Sequence, residues 1–444
     1  MTQVFVLNSA YGLMTAVSAI DAGIIPPGDR VLVAVNTAII PEAARSIAEE
    51  AGLAPLRDRF DRVIDLNALL TPVRPVHWRV RPEDAPALAR LLSAAWALGD
   101  TVELYVQSPQ AAPAREFVDI FPGSQIHIIG DGLMTYSPIR NRWSRVVTDR
   151  IGGVVYADTV AWVEPLLFAE TASARLPVPV EALRRVIAEV ADSAPAESDL
   201  VSGDRPVLVL GQYLAALRLI SSEEEQAMQR DMIDAARRWD PSEIVFKPHP
   251  SSTPDVIDHL ADHARTRGIP LRVYRGAAPA EVLAVRTPFV GAVAGFSTAL
   301  PTLRALSQIP IAAVGTELLL HRLTPYENGN RIPVTIIDAL TREEQPSDLQ
   351  QLIDAVGYAM QPRTAAHLRP RAESYLAAAP TADRTRYFSA KRLGELGLPG
   401  GSRPSLLART LASRDAASRF TEAQLSARGA VRRGRRAWKA LKGS

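Results

Sequence analysis

Three short stretches carry residue types that could do chemistry, and each lies just after an apolar run of strand type. Gly130-Asp131-Gly132 follows QIHII, Lys247-Pro248-His249-Pro250 follows EIVF, and Gly295-Phe296-Ser297-Thr298 follows FVGAVA. In the first, glycines on both sides let the backbone turn sharply and bring a carboxylate to a strand tip. Asp131 would there act as a general base toward an incoming hydroxyl, although Asp-Gly is equally an ordinary turn dipeptide. In the second, an imidazole can donate to a phosphate oxygen, and its protonated form stabilises a departing anion. Lys247 adds positive charge, and Pro248 and Pro250 stiffen the backbone around the ring. The competing reading is a loop histidine with no role. In the third, Ser297 and Thr298 open a helix, where free N–H groups and the helix dipole favour an anion. They would serve as well if they only capped that helix.

Other patterns point away from familiar chemistry. His259 and His263 in PDVIDHLADHAR are four apart, as a metal-binding pair on one helix face would be. The residues between them lack the glutamate of a zincin motif, and a solvated acidic face accounts for the stretch, so no metal site is expected. The chain has neither a P-loop nor a GxGxxG stretch, which argues against a nucleoside triphosphatase of familiar type. It has no cysteine, which excludes disulfides, thiolate catalysis and Cys-ligated zinc, and fits a reducing compartment.

The strands and helices that must hold these loops follow from periodicity. Short apolar runs alternate with amphipathic stretches, the βα signature of a parallel sheet. Strands are predicted at Val4–Leu7, Arg30–Val35, Arg62–Asp65, Val102–Val106 and Ile126–Ile129, with helices at Tyr11–Ala22, Ile40–Ala51, Pro86–Leu98 and Pro113–Ile120. Tyr156–Thr171 reads ambiguously, with a helical leaning. The polar stretch ADSAPAESDLVSGD breaks the pattern, and the alternation restarts at Val207 and runs to Val314. The expected organisation is therefore two Rossmann-like domains, 1–190 and 205–345, facing a cleft and joined by a linker over 191–204. A helical region, 346–401, would cross back to the first domain.

Residues 402–444 differ in charge. They hold 11 Lys+Arg against 2 Asp+Glu, which leaves 39 against 46 in the remainder, so a mildly acidic body carries a basic tail. Apolar residues such as Leu407, Phe420 and Trp438 are interleaved with the arginines, a pattern suited to a helix lying on an anionic membrane surface. The start, MTQVFVLNSAYG, does not read as a signal peptide, and no run is long enough to span a membrane. A cytoplasmic protein, peripheral on the inner face of the membrane, is expected. No nucleic-acid partner is expected.

Taken in order, an acidic-Gly loop, a His-Pro loop and a Ser/Thr loop resemble the motifs of bacterial sialyltransferases. The chain looks most like the bacterial α-2,8-polysialyltransferase-like glycosyltransferases. The likeness rests on IGDGLMTYSPIRNR from Ile129, FKPHP from Phe246, GFSTAL from Gly295 and RLTPYENGNRIPVTIIDAL from Arg322, and spans Met1 to Leu340. It implies a GT-B glycosyltransferase, with an acceptor domain first and a nucleotide-sugar domain second. The donor would be a CMP-activated ulosonic acid, and the acceptor a glycan or lipid-linked glycan of a surface polysaccharide. Transfer would invert the anomeric centre without metal or other cofactor. Asp131 would be the base, His249 would support CMP departure, and Ser297 and Thr298 would hold the phosphate. Gly130, Gly132, Lys247, Pro250 and Gly295 would line the substrate. The family usually has two acids before the glycine, whereas here Gly130 stands in place of the first. The alternatives are a transferase using a UDP-sugar, GDP-sugar or CDP-polyol, and a non-catalytic glycan-binding relative.

Overall fold

In the computed structural model, residues 1–38, 46–193, 203–249 and 254–402 are described. Met1–Tyr375 form one compact unit, and the described residues from Leu376 on fall in a second. The first unit holds two parallel sheets. One has the order β3-β2-β1-β4-β5-β6-β7, with β1 Thr2–Leu7, β2 Asp29–Ala34, β3 Arg62–Asp65, β4 Val102–Gln107, β5 Gln125–Ile129, β6 Ile151–Ala157 and β7 Ala174–Val178. The other runs β10-β9-β8-β11-β12, with β8 Pro206–Leu210, β9 Glu243–Lys247, β10 Leu271–Val273, β11 Gly291–Ala294 and β12 Ile311–Ala313. Each order reverses once, beside its own first strand, as in a Rossmann sheet. Two such sheets in one unit are the GT-B architecture expected from the sequence.

Strands β1, β8 and β11 are buried along their whole length, and β8 and β11 are apolar throughout rather than alternating. On one face of the first sheet Val4, Val6, Val31, Val33, Leu104, Val106, Ile126 and Ile128 are buried with Phe117 and Trp96. On the other, Phe5, Tyr105 and His127 sit in register on β1, β4 and β5. Their rings stack at 4.4 and 4.8 Å between centroids.

Three elements depart from the expectation. The ambiguous region begins in β6 and continues without a helix, and β7 follows it. Gly152 and Gly153 weaken β6 as a pattern, and Pro177 hides β7, which tolerates proline because it is an edge strand. The helix Val180–Ser193 runs into the stretch read as linker and buries Leu183, Val186, Ile187 and Val190. Of the helix expected at Ile40–Ala51, residues 40–45 lie outside the described residues, and 46–50 form no helix. Helix Leu349–Met360 meets the segment after β6, where the Glu164 N–H donates to Gln350 Oε1 at 2.6 Å. In the second unit, helices Thr381–Tyr387 and Ala390–Leu396 are joined through the Ser389 cap on Arg392 N–H. No helix among the described residues is long and apolar enough to cross a membrane.

Candidate active site

The order of the first sheet reverses between β1 and β4, which opens a crevice beyond their carboxyl ends. Gln107, the last residue of β4, fills it and is 1% exposed. Its Oε1 accepts from Asn8 N–H at 3.0 Å, and its Nε2 donates to Ser9 Oγ at 2.7 Å and to Asp131 Oδ1 at 3.0 Å. Ser108 Oγ donates to Asp131 Oδ2 at 3.1 Å. Both carboxylate oxygens of Asp131 are thus held by neutral donors, each keeping a lone pair for an incoming proton. Asp131 N–H in turn donates to Thr135 Oγ1 at 2.8 Å. Gly12 is required here, because a Cβ would lie 2.3 Å from the Gln107 amide.

Position 130 has no room for the missing family acid. Its N–H donates to Val155 O at 2.7 Å. A Cβ would lie 2.9 Å from Thr135 Oγ1 and 3.1 Å from both Val155 O and Tyr156 Cβ. Gly132 has φ +51° and packs so closely on Thr298 that a Cβ would sit 3.0 Å from the threonine Cβ. The acidic loop of one sheet therefore meets the Ser/Thr loop of the other.

On the second sheet, the loop after β8 organises the rest. Gly211 N–H donates to Lys247 O at 2.8 Å. A Cβ on Gly211 would lie 3.1 Å from Pro248 Cα and 3.2 Å from His249 N, so the His-Pro loop rests on a glycine. Tyr213 lies parallel to the His249 ring, 5.4 Å between centroids. Buried Glu225 pins this loop by accepting from Leu214 N–H at 2.6 Å and Ala215 N–H at 3.2 Å. His249 is exposed as a residue, yet burial of its ring and then the Lys247 charge hold its pKa below the ordinary value. Lys247 Nζ lies 5.1 Å from the centre of the Tyr274 ring. Pro250 lies outside the described residues.

The Ser/Thr loop departs in detail from an open anion cradle. With its amide oxygen turned toward them, Gln212 accepts from Phe296 N–H at 3.0 Å and Ser297 N–H at 3.2 Å. Ser297 Oγ accepts from Ala299 N–H at 3.3 Å, which is the capping role. Thr298 makes no such cap to helix Ala299–Ser307 and is the residue that faces Gly132. A Cβ at Gly295 would lie 2.2 Å from the Gln212 amide, so this glycine makes room for that side chain.

The three motifs are therefore joined, Asp131–Gly132 to Thr298, the 296–297 backbone to Gln212, and Gly211 to His249. Sequence reading missed the residues that join them. Gln107, Gln212 and Tyr213 carry no motif, and only their places at strand ends could have flagged them. Tyr11 and Glu281 were missed too. Burial of the Tyr11 hydroxyl pushes its pKa up to about 12, against hydrogen bonding by Thr302 and Thr159, with Glu281 and Asp131 adding negative charge nearby. Burial raises the pKa of Glu281, against its own backbone N–H and Lys247. The RLTPYENGNR stretch is structural. Buried Arg331 donates to Tyr326 O, Leu320 O and Leu323 O at 2.9, 3.1 and 2.6 Å, and Ser137 Oγ donates to Gly329 O at 2.9 Å. On the acidic helix, His263 Nε2 lies 3.4 Å from Asp234 Oδ2, which Arg267 also engages.

The chain is distantly similar to several solved structures. A mutant of the Thermobaculum terrenum O-GlcNAc transferase is 12% identical over 89% of this chain and 66% of that one, with TM-score 0.37. The glycosyltransferase from Rickettsia africae ESF-5 is 8% identical over 89% and 96%, with TM-score 0.37. The Photobacterium sp. JT-ISH-224 2,6-sialyltransferase, solved with CMP and lactose, is 11% identical over 75% and 74%, with TM-score 0.40. Likenesses this distant say nothing of donor or acceptor. No curated protein sequence matches the chain. The sequence pattern of the alpha-2,8-polysialyltransferase (POLYST) family matches residues 3–316, more than two thirds of the chain. The chain belongs to the alpha-2,8-polysialyltransferase family and is a sialyltransferase-like glycosyltransferase.

Proposed function

We propose that the protein transfers an ulosonic acid from a CMP-linked donor to a hydroxyl of a glycan acceptor, in a single inverting displacement that needs no metal. The observation that carries this reading is the junction of the three loops around Asp131, Thr298 and His249. The acceptor oxygen forms the new bond to the anomeric carbon as the bond to the phosphate oxygen breaks. The acceptor proton passes to the Asp131 carboxylate, and CMP leaves with one more negative charge. Lys247 and His249 meet that charge, so the leaving group's stabilisation comes from protein cations and donors. For the N–H groups of Phe296 and Ser297 to bind the phosphate, Gln212 would have to release them, whereas the Ser297 and Thr298 hydroxyls are not held by it. Family membership supports the sugar class. The basic tail supports a site of action at the cytoplasmic face of a membrane, in surface polysaccharide synthesis.

Incubation of chelator-treated protein with a panel of nucleotide sugars tests this. Release of CMP from ulosonate donors is expected, together with inverted anomeric configuration in the product by NMR. Turnover of UDP-, GDP- or CDP-linked donors instead would move the protein to another donor class. Binding of glycans with no turnover of any donor would make it a non-catalytic relative.

A further inference from the structure

Away from this crevice, the first unit has a polar cavity of about 330 Å³. It is lined from the segment after β6, from β7, from helix Leu349–Met360 and from residues 367–371. That volume falls at the low end of the roughly 300–1,000 Å³ usual for small-ligand sites. Its charges are unevenly satisfied. Buried Asp354 accepts from Arg371 Nη1 at 2.9 Å and from Gln350 Nε2 at 2.8 Å, so that pair is closed. The Arg175 side chain makes one hydrogen bond, to Ser173 Oγ at 3.1 Å, and no ion pair among the described residues. A guanidinium has donors to spare beyond that one bond. Burial holds the Arg175 pKa below its ordinary value, with Glu164, Tyr156 and Glu170 acting the other way without reaching ion-pair distance. Burial also lowers the His367 pKa, against Asp354 and with Arg371 and Arg175, which favours a neutral ring beside the cavity. The hydroxyls of Thr171 and Ser173 complete its polar wall. A half-buried guanidinium with open donors and hydroxyls beside it suits a sugar carboxylate, which it can grip with two parallel bonds.

A second feature connects this cavity to the crevice. Trp162 is 95% exposed and has φ +65°, an unfavourable conformation for a bulky residue. A strained, fully exposed indole is a candidate contact for a ligand. Thr159, three residues earlier, lies close enough to the Tyr11 hydroxyl to influence its titration, as does Asp131. Glu164, two residues later, lines the cavity. Three residues span at most about 11 Å and two about 7 Å, so the Trp162 backbone lies within those distances of Thr159 and Glu164.

We propose that this cavity is a second carbohydrate subsite, which takes a carboxylate-bearing sugar of the acceptor chain on Arg175, while Trp162 supports the chain on its way to Asp131. Only the word acceptor rests on the transferase reading; the subsite stands on Arg175, the cavity and the exposed indole. The test is calorimetry on the full-length protein with a trimer of N-acetylneuraminic acid and with the same trimer reduced at its carboxyl groups. Wild type should bind the native trimer at least tenfold more tightly than the reduced one. Arg175→Gln should lose that preference. Trp162→Ala should weaken both trimers alike, since stacking does not read charge. Both variants should keep wild-type CMP affinity and unfolding temperature, which guards against misfolding. Retention of the preference in Arg175→Gln would overturn the subsite. So would complete displacement of the trimer by equimolar inorganic phosphate, which would mark the cavity as an anion trap. A wild type that shows this binding pattern but releases no CMP from any donor would sink the transferase reading and leave the subsite intact.

Discussion

The Asp131 carboxylate, the proposed base, is held by Gln107 at the end of β4 and by Ser108 just after it, one oxygen each. Asp131→Asn preserves size and turn propensity but cannot accept a proton. Transfer should fall by about 10²–10⁴-fold, with CMP affinity nearly unchanged, since the base acts on the acceptor. Steady-state kinetics and calorimetry separate the two, and surviving transfer would place the base elsewhere. His249 makes a prediction about pH. Ring burial and Lys247 lower its pKa, so the free protein carries a neutral imidazole near neutral pH. A bound phosphate anion favours the imidazolium and raises that pKa. CMP binding through His249 should therefore take up a proton between the free and bound pKa values, and affinity should rise as pH falls through that window. His249→Ala should lose this uptake and bind CMP about tenfold or more weakly, for a lost contact of about 1.5–3 kcal/mol. Calorimetry in buffers of different ionisation heat compares the two proteins, and equal uptake in both would assign the proton to another group.

At the scale of elements, glycines decide how closely the loops approach. Gly132 combines φ +51° with contact on Thr298, so Gly132→Ala meets both backbone strain and a clash. The strain alone costs about 1–2 kcal/mol. The unfolding temperature should drop modestly, while kcat falls further than CMP affinity because the displaced loop carries Asp131. Unchanged kcat in the folded variant would show that the loop junction is not needed for turnover. Most elements were legible because their pattern is local. The strand Arg62–Asp65 appears as read, and helix Ser222–Ala236 begins at a capping box between Ser221 and Glu224, itself a local signal. β7 was not legible, because Pro177 argues against a strand unless its edge position is known. The helix Val180–Ser193 was hidden in a different way. Its apolar stripe of Leu183, Val186, Ile187 and Val190 makes sense only against the helices it packs on.

For the whole molecule, charge is the property read most directly from the chain. The tail, 402–444, carries 11 Lys+Arg and 2 Asp+Glu, and all of it beyond Ser402 lies outside the described residues. Each basic residue near an anionic membrane surface contributes about 1 kcal/mol. Cosedimentation with anionic liposomes should fall sharply when 402–444 is deleted, and should weaken as salt is raised. Equal binding by the full-length and truncated proteins would rule out the tail as the anchor.

The sequence by itself determined the alternation of strands and helices, the three loops at strand ends, and the charge of the tail. These are local properties, set by periodicity, turn chemistry and composition. Tertiary structure alone decided which loops meet. Gly132 lies against Thr298 although they are far apart in the chain, and Gly211 supports His249. It also set contacts that local sequence leaves open. Ser297 Oγ caps its helix because Ala299 N–H lies within 3.3 Å. Gln212 occupies the neighbouring N–H groups because the loop after β8 brings it there. Gly130 excludes the family's first acid because β6 packs at Val155 and Tyr156. Such facts depend on strand order and packing distance, which no window of sequence around residues 130, 249 or 297 contains.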